Sequence, residues 1–123
     1  MSSPADHRDL YVDAAIDYQA RPVGVEVCIE HDAFLHKSSY VPDWAVRTKL
    51  HVRYRPSDKV LEWAIFARFL DSLAESELTL ELAAARIYEY VDSLVRPALL
   101  CVELERVDAP GNVVFTVVAS SHG

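Results

Sequence analysis

The 123-residue sequence has only two cysteines and three glycines. It has no apolar run near the length of about 20 residues that a membrane-spanning helix needs, which excludes a membrane partner. Two cysteines without a metal-binding spacing exclude a disulfide framework, so Cys28 and Cys101 are predicted to be small, buried strand residues. The first ten residues lack the basic-then-apolar order of a secretory signal, and we therefore expect a cytoplasmic location.

Positive charge is also scarce. The chain has 12 Lys and Arg against 19 Asp and Glu, so its formal charge is 12 − 19 = −7. It contains no basic run with interleaved aromatic residues, and this excludes nucleic acid as a macromolecular partner. Hydrophobic residues make up 51 % of the sequence, which indicates a globular chain, and the length allows one domain. Because a domain of this size buries a modest fraction of its surface, oligomerisation is an expected source of stability.

The hydrophobic pattern predicts an N-terminal arm over residues 1–22 and one domain over residues 23–121. Within the arm, residues 9–19 fit either a short helix or an extended segment. Strict alternation predicts a half-buried antiparallel strand pair, and wide apolar stripes predict two helices, the first capped by Ser57 or Asp58. The predicted elements are strands 23–30 and 44–55, a connecting loop 31–43, helices 58–75 and 78–95, and strands 99–106 and 113–119. This order favours an α+β fold, an antiparallel sheet with two helices on one face.

Two stretches resemble a known family. LHKSSYVPDWA (35–45) and VRYRPSDKVLEW (52–63) are similar to the motifs of the tunnelling-fold nitrile reductases, which reduce 7-cyano-7-deazaguanine in queuosine biosynthesis. An alignment without gaps from Glu62 onward puts the glutamate of the family motif E-S-K-S-x-K on Glu62. It puts the glutamate of the family motif F-H-E on Glu81 and the helix-ending proline on Pro97. The resemblance covers about residues 30–111.

The resemblance implies four site residues. His36 stands where the family has its nucleophilic cysteine, and Asp43 matches the family's proton-transfer aspartate. Glu62 and Glu81 match the carboxylates that recognise the purine-like ring. A histidine with an ordinary pKa near 6.5 can act as general acid or base near neutral pH, and Asp43 would pair with it. The alternative is structural: His36 as a loop residue, Asp43 as a turn former after a proline, and the two glutamates as ordinary first-turn acids.

The departures from the family pattern are chemically specific. Without the cysteine there is no thiolate to attack a nitrile carbon. The serines and lysines of E-S-K-S-x-K, associated in the family with NADPH, and the histidine of F-H-E are replaced by Trp63, Ala64, Ile65, Ala67 and Leu80. These replacements cannot neutralise the phosphates of a dinucleotide. We therefore predict no NADPH-dependent nitrile reduction and no cofactor.

The sequence also bears on metal binding and on the segment 63–67, which matches the family's NADPH motif; we call this segment the refilled region. The spacing of His31, His36 and His51 does not match the three-histidine zinc pattern of the pterin-synthase branch of this fold, so no metal site is predicted. Trp63 and Phe66 are expected to be packing residues or pocket walls in the region where the family holds its cofactor.

These observations favour a divergent, non-reductive small-molecule enzyme. Its His36/Asp43 pair would act on a planar heterocyclic or carbonyl substrate held by Glu62 and Glu81, in a cyclisation, hydration, hydrolysis or isomerisation. Specialised metabolism is the setting we expect. The alternative is a non-catalytic ligand-binding or structural descendant of the family. The resemblance also implies a homo-oligomer, a pentamer or a pair of stacked pentamers, with sites at subunit interfaces.

Overall fold

Four antiparallel strands form the main sheet, and two helices cover one of its faces. The structure is a computed structural model that describes residues 8–19, 24–37, 45–76, 78–106 and 115–120. Its elements are a 3-10 turn Arg8–Leu10, β1 Ala15–Asp17, β2 Val27–Lys37, β3 Ala45–Arg55, β4 Lys59–Leu61, α1 Trp63–Ala74, α2 Leu80–Val95, β5 Leu99–Arg106 and β6 Phe115–Ser120. The main sheet has the order β2-β3-β5-β6, and β1 pairs with β4 separately. The predicted α+β architecture is confirmed.

The two faces of the main sheet differ sharply, as the alternation predicts. On β3, Leu50, Val52 and Tyr54 are buried under the helices, whereas Arg53 and the other cationic side chains of the strand are exposed. Burying an aliphatic side chain of this kind contributes about 1.5–3 kcal/mol. The other fully buried large side chains of the core come from β5 and α2: Leu100, Val102, Leu104, Ile87, Tyr90, Val91 and Val95. Packing between these elements therefore holds the fold together.

The strand β2 is longer than the sequence predicts. Residues 31–37 were predicted to belong to a loop, but they continue β2 to Lys37. The cause is a bulge: His31 lies opposite Leu50 and Phe34 opposite Thr48, so three steps on β2 match two on β3. An extra residue resets the alternation, and the period-2 pattern is lost although the strand continues. The strand predicted over residues 23–30 therefore begins four residues before β2 and stops seven residues before its end.

The first helix begins later than predicted. Residues 59–61 form β4, which pairs antiparallel with β1 in the register Ala15↔Leu61. The cap is therefore Glu62, and the prediction of Ser57 or Asp58 was wrong. The reason is tertiary, because the strand partner comes from the arm, far away in sequence. The arm residues 8–19 are extended with one short 3-10 turn, which settles the alternative left open by the sequence.

The second helix agrees closely with the sequence. Thr79 caps α2, and its hydroxyl accepts a hydrogen bond from the Leu82 N–H at 3.2 Å. The helix ends at Val95, and its C-cap Arg96 adopts the left-handed conformation with φ 47°, just before Pro97. The end predicted at Arg96-Pro97 is confirmed. No helix in the described part of the chain is long and apolar enough to cross a bilayer.

Candidate functional site

Glu62 links the arm to the start of α1. Its backbone N–H donates to the Ala14 carbonyl at 2.7 Å, which ties the arm to the start of α1. Its Oε2 accepts from the Ile65 N–H at 2.8 Å and caps the helix. Within the described part of the chain, the other carboxylate oxygen, Oε1, accepts no hydrogen bond. A fixed, half-buried carboxylate with one open oxygen can accept an N–H from a ligand.

An aromatic cluster lies beside this carboxylate. Tyr90 of α2 is 2 % exposed and stacks on Phe69, with ring centroids 3.8 Å apart. The Tyr11 ring contacts Tyr90 at a tilt, with centroids 5.2 Å apart, and the Tyr90 hydroxyl donates to the Leu10 carbonyl. Burial, and then the neighbouring Tyr11 and Glu62, raise the pKa of Tyr90 to about 12. The arm is therefore anchored by a tyrosine that stays protonated.

Trp63 and Phe66 were expected to be packing residues or pocket walls, and the structure separates the two residues. Phe66 is buried as predicted, but Trp63, the first residue of α1, is 75 % exposed. Tyr11 is 48 % exposed, and α1 contacts the 3-10 turn just before it. We call Tyr11, Glu62, Trp63 and Tyr90 the arm–helix corner. It combines two exposed aromatic surfaces with a fixed carboxylate, which suits a flat ring bearing N–H groups.

Glu81 lies in the first turn of α2 and is exposed, as predicted. Nine residues separate it from Tyr90, which corresponds to about 13 Å along the helix and about two and a half turns. Glu81 and Tyr90 therefore point to opposite sides of α2. Tyr90 holds the arm through the Leu10 carbonyl, and the arm bonds the Glu62 N–H through the Ala14 carbonyl, so Glu81 lies on the side of α2 opposite the one that holds the arm.

Of the predicted acid–base pair, the structure describes the backbone position of His36 but not Asp43. His36 lies in β2, opposite Val46 of β3, and not in the loop where the sequence placed it. The bulge described above accounts for this difference. Asp43 lies outside the described residues. Its pairing with His36 stays a prediction.

Two residues of the corner were missed by the sequence analysis. Tyr90 belongs to the apolar stripe of α2 and carries no local signal for a contact with Leu10, which is 80 residues away in the chain. Tyr11 lies in a segment whose conformation the sequence left open. Both contacts involve the arm, which pairs with β4 along β1. Strands of three residues are too short to be recognised from the sequence pattern.

Comparison with known proteins identifies the fold. No protein-family model matches the chain, and no curated protein matches it. A solved structure that does match is the crystal structure of the archaeosine synthase QueF-Like in the apo form. The two superpose with a TM-score of 0.70 at 23 % sequence identity, over 85 % of this chain and 98 % of that one. This chain has that synthase's fold. The tunnelling-fold prediction is thereby confirmed, as a statement about architecture.

Proposed function

We propose that this chain binds a planar small molecule bearing N–H or carbonyl groups at the arm–helix corner. The observation that carries the proposal is the open Oε1 of Glu62 together with the exposure of Trp63, the next residue in the chain. The carboxylate would accept an N–H from the edge of the ring, while the indole would cover its face. Stacking of a heterocyclic base on an aromatic side chain is worth about 1–3 kcal/mol. The nitrile-reductase resemblance suggests a deazapurine or a close analogue.

The chemistry proposed at this site is non-reductive. The positions that match the family's NADPH motif are Trp63, Ala64, Ile65 and Ala67, and none carries a positive charge. Phosphate groups need cationic or N–H donors to replace their water, and these side chains offer none apart from the indole N–H. A nicotinamide dinucleotide is therefore not part of the proposal. His36 and Asp43 would instead move protons in a cyclisation, hydration, hydrolysis or isomerisation.

The site is proposed to be completed by a second copy of the chain. Glu81 faces away from the arm–helix corner, so a ligand touching both carboxylates would take Glu62 from one copy and Glu81 from another. The end strands β2 and β6 each leave one edge without a partner in the described part of the sheet. Pairing such edges between copies removes them from solvent, which supports a closed ring, a pentamer or two stacked pentamers.

A non-catalytic ligand-binding or structural role is the second candidate. It is favoured by the simultaneous replacement of the family's cysteine, lysines and F-H-E histidine. The two candidates differ in what His36 does. In an enzyme, His36→Ala and Asp43→Asn abolish turnover and leave the oligomer intact. In a binding protein, both variants keep full ligand affinity, and the unmodified chain itself shows no turnover.

The first test is a calorimetric titration with 7-cyano-7-deazaguanine in the absence of NADPH. Glu62→Gln should weaken binding by about tenfold or more, because it loses the charged acceptor. Glu75→Gln is the matched control, since Glu75 is an exposed carboxylate at the opposite end of α1. Equal affinity in all three proteins would contradict the proposed site. Absence of binding to the unmodified chain would contradict the proposed ligand class.

A further inference from the structure

A second candidate site lies on the face of the main sheet that the helices do not cover. A cavity of about 210 Å³ opens there across β2, β3 and β5. Its lining side chains on this face are Cys28, Glu30, His51, Arg53, Cys101 and Glu103. They form two rows in the pairing register, one centred on His51 and one on Arg53. This face is separated from the arm–helix corner by the sheet and the helices.

The row centred on His51 carries two carboxylates. Glu30 lies across from His51 on β2 and Glu103 across from it on β5. The Glu30 Oε1 is 3.5 Å from the His51 Nδ1. Glu103 is half-buried, and no ion pair compensates its charge within the described part of the chain. Two carboxylates therefore flank one imidazole.

The row centred on Arg53 does not neutralise these acids. The Arg53 Nε is 3.2 Å from the Glu26 Oε1, so its charge is already compensated by a residue outside the cavity lining. Cys28 and Cys101 lie on either side of Arg53. They are two strands apart, about 9–10 Å, which is too far for a disulfide. Cys28 is exposed and Cys101 half-buried, so the expectation that both are buried was wrong.

The composition of the cavity selects the class of ligand. Its uncompensated charge is negative, from Glu30 and Glu103, which disfavours phosphates and carboxylates relative to cations. In the described part of the chain, no three His, Cys, Asp or Glu side chains are placed to hold a metal ion. A volume of 210 Å³ equals about seven waters at about 30 Å³ each, enough for a ligand of about ten non-hydrogen atoms. A planar cation with two parallel N–H groups matches a carboxylate best.

We propose that this sheet-face cavity binds a small planar organic cation of the amidinium or guanidinium class. Glu103 is the principal acceptor, because it is less exposed than Glu30 and forms no ion pair with any residue that the structure describes. Glu30 contributes a second negative charge from the other side of His51. The thiols of Cys28 and Cys101 provide soft, weakly polar contacts beside the cation. This inference does not depend on the proposed function of the arm–helix corner.

The test uses benzamidine as the probe and benzamide as its neutral match in shape. Titrations of the full chain are followed by amide chemical shifts. Benzamidine should bind saturably and shift the amides of residues 28–30, 51–53 and 101–103, and benzamide should bind at least about tenfold more weakly. Glu103→Gln should weaken benzamidine binding by about tenfold, whereas Glu105→Gln should change it by less than about twofold. Glu105 is the next residue on the same face of β5, outside the cavity lining.

Three results would overturn the proposal. They are equal binding of benzamide, equal weakening by Glu103→Gln and Glu105→Gln, and the absence of saturable benzamidine binding. Shifts confined to residues 11, 62 and 63 would also overturn it, because they would place the probe at the arm–helix corner. Circular dichroism of both variants shows whether the sheet is intact, so a folding defect is distinguished from a lost acceptor.

Discussion

Glu62 has two separable roles, and two substitutions at this position distinguish them. One carboxylate oxygen caps α1 through the Ile65 N–H, and the charge of the group acts on Tyr90. Glu62→Gln keeps an oxygen that accepts the capping hydrogen bond but removes the charge. Glu62→Ala removes both. The two variants should therefore differ in stability and agree in their effect on Tyr90.

The magnitudes follow from the geometry. Loss of an N-cap side chain costs about 1 kcal/mol, so Glu62→Ala should lower the free energy of unfolding by about that amount. For a chain of this size the corresponding decrease in Tm is about 3–5 °C. Glu62→Gln loses only the favourable interaction of a negative charge with the helix N-terminus, about 0.3–1 kcal/mol. In both variants the pKa of Tyr90 should fall, because the carboxylate is one cause of its elevation, and it should remain above 10 because burial is the largest cause.

The assay combines urea unfolding with absorbance titration of tyrosinate, at fixed protein concentration. Thr79→Ala is the control: it removes the equivalent cap of α2, the Thr79 hydroxyl bonded to the Leu82 N–H. This variant should lose about 1 kcal/mol and leave the titration of Tyr90 unchanged. Equal destabilisation by Glu62→Gln and Glu62→Ala would refute the capping role. An unchanged Tyr90 titration in both Glu62 variants would refute the proximity of the carboxylate.

Three further predictions concern the core and its pH dependence. Tyr54→Phe should lower the free energy of unfolding in urea by about 1–3 kcal/mol, because the buried Leu61 N–H loses its acceptor, the Tyr54 hydroxyl at 3.0 Å. The pKa of Tyr90 is raised to about 12, so the unfolded chain releases protons from about pH 10 upward while the native chain keeps this one. The stabilisation that comes from this raised pKa should be fully present below about pH 10 and should be lost as the pH rises toward 12. Denaturation series in that range should show that the free energy of unfolding declines less steeply for Tyr90→Phe. Ile87→Ala should cost about 2–5 kcal/mol by the same urea assay, because Ile87 is fully buried, whereas the exposed Leu82 should tolerate alanine.

Each of these predictions has a contradicting outcome. A Tyr54→Phe variant no less stable than Tyr88→Phe would mean that the Leu61 N–H does not depend on that hydroxyl, since the half-buried Tyr88 forms no hydroxyl bond within the described part of the chain. Identical alkaline profiles for Tyr90→Phe and the unmodified chain would show that Tyr90 titrates normally. Similar losses for Ile87→Ala and Leu82→Ala would contradict the placement of the core.

The regular parts of the fold were predictable from periodicity. β5 was predicted with its observed bounds, and β3 and α2 to within one or two residues, because each pairs one buried face with one polar face over eight residues or more. The parts that failed depend on contacts between distant segments. The bulge in β2 interrupts the alternating pattern, so residues 31–37 could not be recognised as part of a strand. The strand β4 forms by pairing with β1 of the arm, which is distant in sequence.

The candidate site was predictable to a similar degree. The first-turn position of Glu81 followed from the helical pattern. The capping role of Glu62 did not, because glutamate is not a preferred N-cap residue and the helix was expected to begin earlier. Trp63 was expected to be either a packing residue or a pocket wall, and its 75 % exposure contradicts only the first of these roles. Its exposure could be seen only once the start of α1 was fixed.

The most direct test of the proposed ligand site is the fluorescence of Trp63 itself. The chain has two tryptophans, Trp44 and Trp63, so Trp44→Phe leaves Trp63 as the single tryptophan that emits. We predict a red-shifted emission that 7-cyano-7-deazaguanine quenches saturably, and that requires about tenfold more ligand when Glu62→Gln is added. Quenching that never saturates, or that is the same with Glu62→Gln, would contradict a heterocycle-binding site at the arm–helix corner.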